Sequence, residues 1–208
     1  MKNDLYEYEN KLYNLGINNI GGVDEVGRGP LIGPVVAACV VLPKGFVLDG
    51  LTDSKKLSEK KRELFYDYIV KNSTYGIGII DADVIDEVNI YEATKLAMLE
   101  AIKKVREQVY LEHVLIDAMP LDLDIDTTSI IKGDAKSISI AAASVVAKVT
   151  RDRMMYELDD LYPNYGFKSH KGYPTKKHIE AINKYGLIPG YRKTYGPVKE
   201  ILNGNQNN

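Results

Sequence analysis

Four carboxylates far apart in the chain are the residues best placed to do chemistry. Asp24 and Glu25 adjoin in GGVDEVGRGPLIGP (21–34), where an apolar run meets a glycine-rich loop. Asp117 closes the apolar run His113–Ile116, and Asp134 sits in Lys132-Gly133-Asp134, ahead of an alanine-rich stretch. In an open α/β sheet the carboxyl ends of different strands converge, so such acids can meet at one spot. Three or four carboxylates together repel and raise one another's pKa unless hard divalent cations neutralise them. Oxygen-only donors select Mg²⁺ or Mn²⁺ over zinc, and two such ions ~4 Å apart can support phosphodiester hydrolysis.

Other acids read as structural. Asp122, Asp124 and Asp126 alternate with Leu and Ile, so they share one polar face of an extended segment. Asp81, Asp83, Asp86 and Glu87 suit a helix start, and Asp159 and Asp160 a helix end. Gly27-Arg28-Gly29 with Gly33 has neither the spacing of a dinucleotide fingerprint nor the helix that must follow one. Glycines flanking an arginine instead let backbone groups come close to a hydroxyl or phosphate.

Net charge is −2, but it is unevenly spread. Residues 161–199 carry eight basic residues and one acid, a net +7, against 19 basic and 28 acidic residues elsewhere, a net −9. The same segment holds six of the fifteen tyrosines: Tyr162, Tyr165, Tyr173, Tyr185, Tyr191 and Tyr195. Cations interleaved with rings suit a nucleic-acid surface, cations meeting phosphates and rings packing on sugars or bases. The alternative is a solvated helical tail whose tyrosines dock on the core.

The elements that must position these groups follow from periodicity. Strands are expected from Asn19 to near Asp24, over Pro34–Leu42 (buried on both faces), over Tyr75–Ile80, over His113–Ile116 and over Ser129–Ile131. Helices are expected from Ser58 to about Val70, over Glu92–Val109, over Ser139–Leu161 and from near Thr175. This is an α/β fold with one mixed five-stranded sheet and helices on its faces. The chain of 208 residues reads as a single domain, with a basic, tyrosine-rich C-terminal helical part at about 161–199 and a frayed end at 203–208. The longest apolar stretch, Leu31–Leu42, is too short for a membrane span. Cys39 is the only cysteine, which excludes an internal disulfide or a multi-cysteine zinc site. The first dozen residues are charged, with no apolar run, and the expectation is a cytoplasmic monomer.

GVDEVGRGPLIGPVVAA, DSKKLS, LIDA, KGDAKSISIAAASVVAKVTRDR, YPNYGFKSHKGYPTKKH and GPVK, in this order from Gly21 to Lys199, together resemble bacterial ribonuclease HII. The resemblance implies a ribonuclease H-like fold and an endoribonuclease that hydrolyses the RNA strand of RNA–DNA hybrids. It also implies incision 5′ of a single ribonucleotide in duplex DNA, leaving 3′-hydroxyl and 5′-phosphate ends, in ribonucleotide removal from DNA. Carried over by position, Asp24, Glu25, Asp117 and Asp134 are the metal-binding catalytic acids, with Mn²⁺ or Mg²⁺ as cofactor. Gly27, Arg28 and Gly29 match the loop that reads the ribose 2′-hydroxyl, and Tyr173 the tyrosine that packs on the adjacent sugar. Lys55 resembles a phosphate contact. Ser144, Lys148 and Arg151 fall at i, i+4 and i+7 of one helix, from which they could follow the nucleic-acid backbone. Near the C-terminus, Tyr191-Arg192-Lys193-Thr194-Tyr195-Gly196-Pro197 departs from the family's arginine-rich stretch with serine and phenylalanine but keeps its cationic, aromatic character.

Two other classes fit parts of the pattern. A catalytically silent hybrid-binding module would hold four unneutralised acids against the phosphates that the basic segment attracts. A Mg²⁺-dependent phosphotransferase of the same fold needs a glycine-rich phosphate loop feeding a helix or a turn, whereas the glycine-rich loop here leads into an expected strand.

Overall fold

The computed structural model describes residues 5–205. Its elements run α1 (Glu7–Asn14), β1 (Ile20–Val26), β2 (Val35–Val41), α2 (Glu59–Asn72), β3 (Thr74–Ile80), α3 (Ala82–Val88), α4 (Ile90–Arg106), β4 (His113–Asp117), β5 (Asp126–Ile130), α5 (Ile138–Leu161), α6 (Phe167–His170), α7 (Lys176–Tyr185) and α8 (Gly196–Asn205). The five strands form one mixed sheet in the order β3-β2-β1-β4-β5. β1 pairs antiparallel with β2 and parallel with β4, β2 antiparallel with β3, and β4 parallel with β5.

β2 is buried along its whole length and divides its side chains between two helical layers. Val36, Ala38 and Val40 pack with residues of α2 and α5, while Val35, Ala37, Cys39 and Val41 pack with residues of α4. The period of two in the strand thus builds both halves of the core. Small residues bring α5 close: a Cβ on Gly22 would lie 2.1 Å from the carbonyl carbon of Ser139. Ala141, Ala142, Ala143 and Ala147 line the buried part of that helix.

Several boundaries differ from the sequence reading. β1 runs on to Val26, because Glu25 and Val26 stay in register with Ala37 and Val36 of β2. The acid pair therefore lies inside a strand. β5 starts at Asp126, where parallel pairing with His113 draws polar residues into the ladder. The acids Asp122, Asp124 and Asp126 are exposed, and Asp124 takes a two-pronged contact from Arg106 at 2.7 and 3.0 Å. α4 starts at Ile90, since the Asn89 side chain accepts from the amides of Tyr91 and Glu92. α1, unforeseen in its charged segment, closes over the start of α5. The buried Glu9 accepts from Ser137 Oγ at 2.5 Å and from the Ser139 amide at 3.0 Å.

The basic C-terminal part forms α6, α7 and α8 around a cluster containing Phe167, Ile182, Tyr191 and Val198, which also takes in Leu31, Ile32 and Met155. It therefore packs on α5 and on the loop that follows β1. Residues 203–205 of the expected frayed end belong to α8, and 206–208 lie outside the described residues.

Candidate active site

Strand alternation decides which acids meet. Val23 faces the α4 layer, so Asp24 faces α5, as does Gly22. Asp24 is 6% exposed, and its Oδ1 accepts the Glu25 amide at 2.8 Å. Ser144 of α5 also bonds this carboxylate, and Ser144 Oγ lies 2.8 Å from Ser54 Oγ. In parallel pairing with β1, Ile116 faces the α4 layer, which leaves Asp117 on the Asp24 side at the carboxyl end of β4. Asp117 Oδ1 accepts the Gly133 amide at 2.6 Å, tying it to the turn Gly133–Ala135 that carries Asp134.

The electrostatics show that these groups share one field. Burial, then the charges of Glu25 and Asp117, hold Asp24 well above the ordinary carboxylate range. Glu25 is also raised, by burial and by Asp117, although Arg28, 3.6 Å away, pulls it back. Burial raises Asp117 despite its bond to Gly133. Asp134 is raised by burial, then by Asp53 and Asp117. Asp53 is an acid of this cluster that the sequence reading did not single out. Its position in DSKKLS, two residues before Lys55, is the available signal. Burial pulls the Lys55 ammonium down, but Asp24, Asp53 and Asp134 outweigh it, and its pKa is raised.

This donor set suits a hard divalent cation: oxygen atoms only, largely removed from water, each carboxylate disfavouring the ionisation of the next. Among the described residues, no three Asp, Glu, His or Cys side chains already stand close enough to cage an ion.

The loop after β1 borders the acids. Gly27 has φ +94°, and a Cβ there would lie 2.3 Å from Arg151 Nε, so both conformation and space demand glycine. Arg28 and Gly29 are exposed, and the Tyr173 ring stands over Gly29, 3.3 Å from where a Cβ would sit. Tyr173 is itself 39% exposed, and its carbonyl accepts from the Thr175 amide at 2.8 Å, with His178 Nδ1 also at 2.8 Å. The glycine-rich loop leads into β2, so the helix or turn that a phosphotransferase's phosphate loop needs does not follow it.

Two sequence-based assignments need correction. Arg151 does not face a backbone groove: it is fully buried, donating to the carbonyls of Pro34 (3.0 Å), Lys171 (3.0 Å) and Ile32 (3.2 Å). The C-terminal part covers the helix at Arg151, which periodicity alone does not reveal. Arg192, counted above among the cations of a surface, is likewise fully buried and braces the loop after β1. Lys148 is engaged with Asp152 at 2.7 Å, and Arg62 approaches the same carboxylate at 3.9 Å. Of the six tyrosines, Tyr165 and Tyr191 belong to the core, whereas Tyr173 and Tyr185 are exposed.

Comparison with known proteins settles the family. The family model described as Ribonuclease HII matches residues 21–195. The chain belongs to the ribonuclease HII family. A ribonuclease HII from Bacillus cytotoxicus is 58% identical over 200 residues, which cover 96% of this chain and 76% of the relative. One from Bacillus cereus strain B4264 is 56% identical, with 96% and 77% covered. The crystal structure of ribonuclease H2 from Pyrococcus horikoshii superposes with a TM-score of 0.74 at 25% identity, covering 91% of this chain and 100% of the other. As a ribonuclease HII family member, the protein is a metal-dependent endoribonuclease acting on RNA–DNA hybrids. Its sheet is the ribonuclease H fold. Among the described residues no helix is long and apolar enough to cross a membrane.

Proposed function

We propose that this chain, acting as a monomer, incises duplex DNA on the 5′ side of a single embedded ribonucleotide, besides cutting the RNA strand of hybrids. Asp24 and Asp117 would hold two Mg²⁺ or Mn²⁺ ions, with Glu25 and Asp134 completing the set of oxygen donors. Divalent ions held there would lower the pKa of an attacking water and neutralise charge on the phosphate and the departing 3′-oxygen. Ser144 holds the Asp24 carboxylate in place. Lys55 supplies a cation to a phosphate beside the acids, and Lys148 one farther along α5. The backbone of Gly27, Arg28 and Gly29 meets the 2′-hydroxyl, the group that separates RNA from DNA, while the Tyr173 ring packs on the neighbouring sugar. Position and electrostatic complementarity are what the protein contributes.

One observation carries this reading: the buried Asp24 shares a field with Glu25 and Asp117 at the foot of an exposed Arg28-Gly29 backbone capped by Tyr173. The test is incubation with Mn²⁺ and a DNA duplex containing one ribonucleotide. Incision 5′ of that ribonucleotide, leaving a 3′-hydroxyl, is expected. An uncut duplex, or equal cutting of an all-DNA control, overturns the proposal.

A further inference from the structure

We infer that Arg192 and Tyr195 are positioning residues that set the backbone of Arg28 and Gly29 for reading the 2′-hydroxyl, an inference that rests on the role proposed above for that loop. Arg192 is fully buried, and its guanidinium bonds are to carbonyls and one hydroxyl. Nη2 donates to Gly27 O at 2.6 Å and Gly33 O at 2.8 Å, Nε to Gly33 O at 3.1 Å, and Nη1 to Arg28 O at 2.9 Å. Tyr195 Oη donates to the same Arg28 carbonyl at 2.6 Å. One side chain thus grips both ends of the loop, and a second doubles the grip at Arg28.

The peptide plane turns this grip into a recognition device. In a trans peptide the carbonyl and the following N–H point in opposite directions, and no cis bond occurs among the described residues. With the carbonyls of Gly27 and Arg28 drawn onto Arg192, the N–H groups of Arg28 and Gly29 must point away from it. Those residues are exposed, so two adjacent donors are fixed toward the open side. A hydroxyl oxygen can accept from such a pair. Holding the donors before substrate arrives removes the ordering cost that a free glycine loop would carry at binding.

The brace is itself anchored. The Arg192 amide donates to Leu31 O at 2.8 Å, and the Gly33 amide to Gly190 O at 3.0 Å. The Asp86 carboxylate of α3 accepts from the amides of Lys193 at 2.7 Å and Thr194 at 2.9 Å. Loop geometry is therefore dictated from the C-terminal part and α3, away from the metal-binding acids.

The experiment compares affinities for two duplexes of the same sequence, one with a single ribonucleotide and one all-DNA, in EDTA, together with kcat/KM for incision in Mn²⁺. The ratio of the two affinities is the key readout, because a partly unfolded sample weakens both equally and leaves the ratio unchanged. Tyr195→Phe, which removes one hydrogen bond, should lower the ratio about three- to tenfold while all-DNA affinity stays put. Arg192→Lys keeps the charge but cannot span three carbonyls. It should abolish most of the preference, with kcat/KM down roughly 30- to 100-fold. If Arg192→Lys fails to fold, Tyr195→Phe alone decides. An unchanged ratio, or equal losses on both duplexes, overturns the inference. A wild-type protein with no preference at all would overturn the underlying 2′-hydroxyl reading as well, which separates the two failures.

Discussion

Replacing Asp24 by Asn should cost the protein its activity and make it more stable. Asn has the same shape, and its Oδ1 can still accept the Glu25 amide, now at 2.8 Å. The substitution removes a buried carboxyl whose ionisation is opposed by burial and by Glu25 and Asp117. Relieving a poised active-site charge is worth about 0.5–2 kcal/mol. At about 2–4 °C per kcal/mol for a chain of this size, Tm should rise by roughly 1–8 °C in EDTA at pH 7.5. The pH dependence follows from the direction of the shift. Burial, with the two neighbouring acids, raises the folded-state pKa of Asp24 above its unfolded value. Its contribution to stability is therefore intact below about pH 4 and lost as pH rises through the folded value. The advantage of Asp24→Asn should accordingly shrink toward zero as the pH falls to about 4. Mn²⁺ reverses the order: at a hundred times its Kd it stabilises the wild type by about 2.7 kcal/mol, and the variant by less. Thermal scans with and without EDTA across this pH range measure all of this. A correctly folded variant that is less stable than wild type at pH 7.5 in EDTA would refute the reasoning, making Asp24 a structural hydrogen-bonding residue.

Arg151→Met strands three buried carbonyls and should cost about 3–5 kcal/mol, seen as a Tm lowered by more than about 6 °C; a change within two degrees would contradict the brace seen here. Tyr173→Ala should reduce kcat/KM at a lone ribonucleotide by roughly ten- to a hundredfold, the scale of one lost ring contact, with all-DNA affinity nearly unchanged. Equal losses on both substrates would make Tyr173 a core residue only. Substrate affinity should fall with salt at about −0.9 in log–log slope per phosphate contacted, whereas a flat response would remove the exposed lysines of the C-terminal part from the interface.

What the sequence revealed, and what it hid, has a physical pattern. The run Pro34–Leu42 announces a strand buried on both faces because every residue in it is apolar. Ser58 and Thr175 announce helix starts because their side chains cap the next turn. The clustering of the acids is legible because a carboxylate beside an apolar run is costly unless something needs it. The two interior arginines were not legible. Arg151 lies at a helix position that looks solvated until the C-terminal part folds over it, and Arg192 lies in a segment whose charge suggests a surface. Both are stabilised by main-chain carbonyls, and carbonyl direction leaves no trace in residue type. Asp53 is hidden for a related reason: it joins the acids through a loop, where no period applies. α1 is polar on most positions and shows itself only through Glu9, a lone acid serving the start of α5.

Asp24, Glu25, Asp117 and Asp134 are proposed to form one divalent-cation site. Anomalous scattering at the manganese edge, from crystals grown with Mn²⁺, locates such ions. Peaks lying among these four carboxylates are predicted. Manganese bound elsewhere, with the four side chains left apart, would contradict the proposal.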